Sequence, residues 1–149
     1  MGTIAGGINF YNKANANFTN IGESIPPDFG LNNAIVSAVA KENNEALWVG
    51  TYGGGLNYVD LKNKISYSFT VDDRDEKKTK NIITALANKD DNLLLCGTFN
   101  GLFQFDKNTK QFKPVPLSAS GLIEDERPIT ALQLDQDDLW VGTNGNGLK

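Results

Sequence analysis

A glycine–threonine pair returns four times along the chain, at 2–3, 50–51, 97–98 and 142–143, with spacings of 48, 47 and 45 residues. A return of this length constrains the fold more than any other feature, because it signals a solenoid, a propeller or an array. The fullest copy is "LWVGTYGGGLNYVD" (47–60); it recurs as "LLLCGTFNGLFQFD" (93–106) and "LWVGTNGNGLK" (139–149), with a partial copy, "MGTIAGGINFYN", at 1–12. Read alone, the glycines at 53–55 suggest a phosphate-cradling loop, but no Lys-Ser/Thr follows them. Three copies of a nucleotide site in so short a chain are implausible. The stretch reads instead as a repeated turn in which the last glycine, Gly55, Gly101 or Gly147, supplies backbone freedom before the next strand.

Two further blocks recur in the same order. "AIVSAVAKENNEA" (34–46), "IITALANKDDN" (82–92) and "ITALQLDQDD" (129–138) precede the copies, aligning Ser37 with Thr84 and Thr130. "KISYSFTV" (64–71) and "KQFKPVPL" (110–117) follow them, with "ANFTNI" (16–21) as a weaker first copy. "LNYVDL" and "LFQFD" alternate in polarity, as half-buried strands do. "KENNE", "KDDN" and "DQDD" supply Asn and Asp for one hairpin, and "KNK" and "KNTK" for another. Nothing shows a sustained helical period. Four short antiparallel strands per unit predict an all-β, partial β-propeller of four-stranded blades, about three blade equivalents in all. The units are a partial blade at 1–21, blades at 32–71 and 80–117, and a partial blade at 127–149. The third and fourth strands of one blade open the chain, and the first and second of another close it.

The repeat "LWVGTYGGGLNYVDLKNKISYSFT", with "NNAIVSAVAKENNEA" before it, resembles the two-component regulator propeller repeat. The likeness covers nearly the whole chain, and its core is Leu-Trp-Val-Gly-Thr with the later Gly-Leu. "LLLCGTFNGLF" departs from it, placing Leu95 where the tryptophan stands. The Trp-Asp and Gly-His pairs of WD40 blades and the Asp-box of sialidases are absent. The resemblance implies a segment of the sensor region of a hybrid histidine kinase from a Bacteroidetes-type bacterium. It implies a periplasmic setting within a membrane-anchored parent, and responsiveness to oligosaccharides. Because the chain stops just after "GNGLK", it is expected to be a piece of such a sensor.

Bulk properties narrow the function. The 149 residues carry a formal net charge of -4 with the two signs interspersed, which argues against nucleic acid and anionic membranes. The one basic cluster, "EKKTK" (76–80), follows the acidic "DDRDE" (72–76) and reads as a solvated loop. No apolar run reaches the roughly 18 residues of a membrane-spanning helix, so no direct membrane contact is expected. The N-terminus lacks the pattern of a signal peptide. There is no histidine and only one cysteine, Cys96, which removes Ser-His-Asp chemistry and the usual zinc sites. No repeat-breaking pair of carboxylates stands out, and neither catalysis nor a cofactor is expected.

Ligand-facing residues are expected on the blade end that gathers the Gly turns and the inter-blade connections 22–33, 72–80 and 118–128. Candidates are Tyr52, Phe99, Asn100 and Asn144, with Asn146 beside them. Aromatic faces and amides suit a sugar; equally, Tyr52 and Phe99 are candidates for packing between blades. Trp48 and Trp140 lie inside apolar strands and are expected to pack between blades. Asp135, Asp137 and Asp138 have the chemistry for calcium, but "KENNE" and "KDDN" stand at the same place, favouring a repeated turn. Glu124, Asp125 and Glu126 form an acidic group without a partner acid, and Asn17–Thr19 is a formal glycosylation sequon. The alternative to a sensory segment is a structural or protein-interaction scaffold. Open strand edges are expected to recruit the rest of the parent or a second copy of the chain. Two copies exchanging ends would make a six-bladed ring.

Overall fold

A computed structural model describes residues 2–3, 7–12, 17–21, 29–72, 74, 79–117, 127–136, 138–145 and 147–149, with backbone alone over 2–20. The described residues form fourteen strands and no helix. β1 (Gly2–Thr3), β2 (Gly7–Asn12) and β3 (Asn17–Ile21) make a three-stranded sheet. β4 (Val36–Lys41), β5 (Ala46–Thr51), β6 (Gly55–Asp60) and β7 (Ile65–Phe69) make a four-stranded one. β8 (Ile83–Asn88), β9 (Leu93–Thr98), β10 (Gly101–Asp106) and β11 (Gln111–Val115) repeat it. β12 (Ile129–Asp135), β13 (Asp138–Thr143) and β14 (Gly147–Leu148) form the last sheet. Every pairing is antiparallel between sequence neighbours, as in an up-and-down blade. Two short strands that the sequence did not foretell, β1 and β14, are thus added to the first and last blades.

The core lies between blades rather than within them, because the second strands of the two complete blades, β5 and β9, are buried on both faces. On β5, Trp48 faces forward to the third blade, joining Leu56, Ile83, Leu94, Cys96 and Phe105. Its neighbour Val49 faces back, meeting Ile21, Leu31 and Val59. β9 repeats this: Leu94 and Cys96 face back, while Leu95 faces forward to Ile129 and Val141. Two-sided burial explains why "LWVGT" and "LLLCGT" read as continuous apolar runs. Cys96 is fully buried, and burial pushes its thiol pKa up.

Each first strand carries a β-bulge at the repeated hydroxyl residue, so that Val36 and Ala38 oppose Thr51 and Gly50 with Ser37 between them. The same shift occurs around Thr84 and Thr130. A bulge re-aims the extra side chain. The Ser37 hydroxyl lies between the carbonyls of Gly50 and Ile83, bridging its own blade to the next. Thr84 does the same between Gly97 and Ile129. The glycines at this level are required by packing. A Cβ on Gly50 would lie 2.5 Å from Ile83 Cγ2, and one on Gly97 would lie 2.6 Å from Ile129 Cγ2. Gly97→Ala is therefore expected to cost about 1–3 kcal/mol by overpacking, read as a lower urea midpoint. A loss below about 0.5 kcal/mol would contradict this packing.

The threonine of each of the last three Gly-Thr pairs closes its own turn. Thr51, Thr98 and Thr143 donate their hydroxyls to the carbonyls of Gly55, Gly101 and Gly147 at 3.1, 2.9 and 2.9 Å. The outer hairpins are Asx turns. Asp60 accepts the amides of Lys62 and Asn63, and Asp106 those of Asn108 and Thr109. Those amides, Asn63 and Thr109 foremost, hold the two carboxyls below their ordinary pKa. The closing lysines, Lys64 and Lys110, take left-handed backbone at φ 55° and 61°.

Candidate functional site

The turns after β5, β9 and β13 stand side by side at one end of the blades and are fixed by a repeated backbone bond. The residue after each Gly-Thr pair donates its amide to the chain just before the first strand of its own blade. Tyr52 donates to Ile35, Phe99 to Ile82 and Asn144 to Pro128, at 2.9, 3.0 and 2.9 Å. The last turn glycine then ties the turn to the next blade: Gly55 donates to Asn81 at 2.9 Å, and Gly101 to Arg127 at 3.1 Å. These glycines hold φ of 81° and 99°, where a side chain would be strained. Asn81, itself buried, accepts the Val71 amide at 2.7 Å and donates to the Asp72 carbonyl at 3.1 Å, anchoring the connection between blades. The face is thus a rigid platform.

On it the structure brings two of the four sequence-predicted residues into contact. The Tyr52 and Phe99 rings meet edge to face with centroids 6.3 Å apart. Both stay open to solvent, Tyr52 at 47% and Phe99 at 39% exposure. The rings thus touch across the blades while each keeps part of its surface open to solvent. Asn100 is half-buried beside Phe99, its backbone N–H donating to the Thr98 hydroxyl at 3.0 Å. Asn144 is exposed in the next turn. Neither amide side chain has a hydrogen-bond partner among the described residues, so both are available to a ligand. Asn146, Asp137, Glu124, Asp125, Glu126, most of "EKKTK", and the connections over 22–28, 73, 75–78 and 118–126 lie outside the described residues. The sequon Asn17–Thr19 falls in β3.

A second concavity was missed by the sequence reading. Tyr58, Tyr67, Phe69 and Lys110 line an open groove of about 450 Å³ on the outer edge of the second blade. Tyr58 and Tyr67 are direct cross-strand partners, and Lys110 Nζ comes 5.9 Å from the Phe69 ring centre. Burial raises the Tyr58 phenol pKa, aided by Asp60, Glu42 and Tyr67. The alternation in "LNYVDL" and "ISYSF" across a four-residue hairpin was the available signal; Lys110 comes from the next blade and carried none.

The two tryptophans part company. Trp48 is 2% exposed and packs on Tyr58, Phe69 and Phe105 at 4.9, 6.2 and 5.4 Å between ring centres. Its indole N–H donates to Glu42 Oε2 at 2.7 Å, which also receives Lys107 Nζ at 2.7 Å. Trp140, expected between blades, is instead 47% exposed, because no described residue takes the places of Phe69 and Phe105 beside it. Among the described residues no group of three or more His, Cys, Asp or Glu side chains could hold a metal ion.

The sheets, their connections and their shared layers define a partial β-propeller. Solved structures with this fold include two domains from B. thetaiotaomicron. One is the extracellular domain described as that of the hybrid two component system BT3049, with 23% identity and TM-score 0.76, covering 99% of this chain and 18% of that one. The other is the extracellular domain described as that of the hybrid two component system BT4673, with 26% identity and TM-score 0.71, covering 100% and 20%. The β-propeller domain of Cps50 (Swd1) from Myceliophteria thermophila matches at 19% identity and TM-score 0.50, over 68% and 33%. The chain thus spans about a fifth of the length of the two bacterial domains. These are domains of the kind to which the repeat's resemblance pointed. No protein-family model matches the chain, and no curated protein gives a significant match.

Proposed function

We propose that the chain is a non-catalytic, extracytoplasmic sensory segment that binds oligosaccharide on the end carrying the Gly turns, within a periplasmic, membrane-anchored parent. The observation that carries this reading is the Tyr52–Phe99 pair, exposed on a platform whose backbone is bonded turn by turn. Aromatic faces take the C–H patches of a sugar ring, and the unengaged amides of Asn100 and Asn144 take its hydroxyls. The likeness to extracellular domains of two component systems supports the setting.

A panel of oligosaccharides read by thermal shift tests the proposal. At least one is expected to raise the melting temperature without being turned over, since a ligand that binds only the folded state stabilises it. Tyr52→Ala and Phe99→Ala are each expected to weaken that ligand about five-fold, from about 1 kcal/mol per aromatic contact. Tyr67→Ala, in the outer groove, should leave it unchanged. Affinity indifferent to both turn substitutions, or release of a cleaved product, would refute the reading.

A further inference from the structure

The outer groove lies between the two complete blades. Tyr58, Tyr67 and Phe69 come from β6 and β7 of the second blade, and Lys110 from the outer hairpin of the third. The aromatic lining breaks the repeat. In the third blade the register positions of Tyr58, Tyr67 and Phe69 are held by Gln104, Lys113 and Val115. In the first blade they are held by Phe10, Thr19 and Ile21. Among these three blades only the second sets an aromatic residue at all three positions. The third blade folds with the same strand order and pairing without them, so the blade itself does not require the three rings.

The floor of the groove is fixed from below. Phe69 packs on Phe105 at 5.1 Å and on Trp48 at 6.2 Å between ring centres, and Tyr58 packs on Trp48 at 4.9 Å. Tyr67 stands at the mouth, 55% exposed. Ring surface dominates the lining, whose polar side-chain groups are two phenols and one ammonium. None of the three has a hydrogen-bond or ion-pair partner among the described residues; the Lys110 ammonium makes only its contact over the Phe69 ring. The nearby carboxylates are already engaged. Glu42 receives Lys107 and the Trp48 indole, and Asp60 the amides of Lys62 and Asn63. Lys110 is thus the one charged residue of the lining, and it is uncompensated.

We propose that this groove binds a small ligand made of a flat apolar ring that bears a carboxylate. The ring stacks on the Tyr67 and Phe69 rings, the carboxylate pairs with the Lys110 ammonium, and the phenols of Tyr58 and Tyr67 are further hydrogen-bond donors. Ring-on-ring contact contributes beyond the apolar area it covers, and a charge-assisted bond to a cation with no other partner is stronger than a neutral one. The volume of about 450 Å³ is that of a small-molecule site. A sugar fits this lining less well. Its hydroxyls point to every side, and two phenols and one ammonium leave most of them unmatched against aromatic walls. The groove is separate from the turn end, and this assignment does not depend on what binds there.

Amide chemical-shift titrations of the chain with phenylacetate, its neutral analogue phenylacetamide, and glucuronate test the assignment. Phenylacetate is expected to give saturable shifts at Tyr58, Tyr67, Phe69 and Lys110, with a dissociation constant on the order of 1 mM for so small a ligand. It should bind about five-fold more tightly than phenylacetamide, the scale of one exposed ion pair. Lys110→Met should abolish that preference while leaving phenylacetamide binding unchanged. Tyr67→Ala, at an exposed side chain, should weaken both ligands about five-fold, and Tyr52→Ala neither. Shifts that do not saturate, or that gather elsewhere, would overturn the proposal. So would equal affinity for the acid and the amide, or a preference that survives in Lys110→Met. Glucuronate binding as tightly as phenylacetate in the groove would overturn the assignment of an apolar ring.

Discussion

Trp48→Ala is expected to cost about 3–5 kcal/mol of unfolding free energy, the range for emptying a large buried aromatic site. The side chain fills the layer between the second and third blades, touching rings from β6, β7 and β10. Those rings belong to three strands of two blades and cannot all collapse into the space. The loss should appear as a lower urea midpoint at nearly unchanged slope. In a chain of this size it should also lower the melting temperature by roughly 10 °C. Trp48→Phe should recover part of the loss, restoring ring contact but not the N–H donated to Glu42. A cost under about 1 kcal/mol would mean that the blades are not held together through this layer.

Lys107→Ala is expected to cost about 3 kcal/mol, the low end for breaking a buried ion pair by removing one partner. Lys107 is only 8% exposed; its ammonium lies 2.7 Å from Glu42 Oε2 and 3.2 Å from the Asp90 carbonyl. Its loss leaves a carboxylate that is 22% exposed, with the Trp48 indole as its remaining donor. Removing both charges, as in Glu42→Gln/Lys107→Met, should cost less than Lys107→Ala alone, and the shortfall measures the coupling. Lys62 and Glu45, 64% and 57% exposed, form the contrasting surface pair. Lys62→Ala should stay within about 1 kcal/mol. Equal costs for the two lysines would refute the distinction.

Much of the blade was legible because its determinants are local. Gly-Thr marks the end of the second strand since the threonine hydroxyl closes the turn a few residues on. Asp60 and Asp106 mark the outer hairpins since a carboxylate caps the amides just after it. The devices that join blades were harder to read. Ser37 and Thr84 appear in sequence as small residues in β-branched strands, and their bulges matter through carbonyls 46 and 45 residues away. Glu42 and Lys107 are 65 residues apart. Trp48 and Trp140 share the local sequence "LWVGT" but differ in burial, because burial depends on whether another blade lies in front. Tyr52 and Phe99 could be placed on one end of the blades from turn positions alone; their mutual contact and remaining exposure could not.

The most direct test of the proposed binding face is an amide chemical-shift titration of the chain with the oligosaccharide that stabilises it most. The reading predicts that perturbations gather at Tyr52–Gly55, at Phe99–Gly101 and at Asn144. Perturbations confined to the outer groove of Tyr58, Tyr67, Phe69 and Lys110 would contradict it.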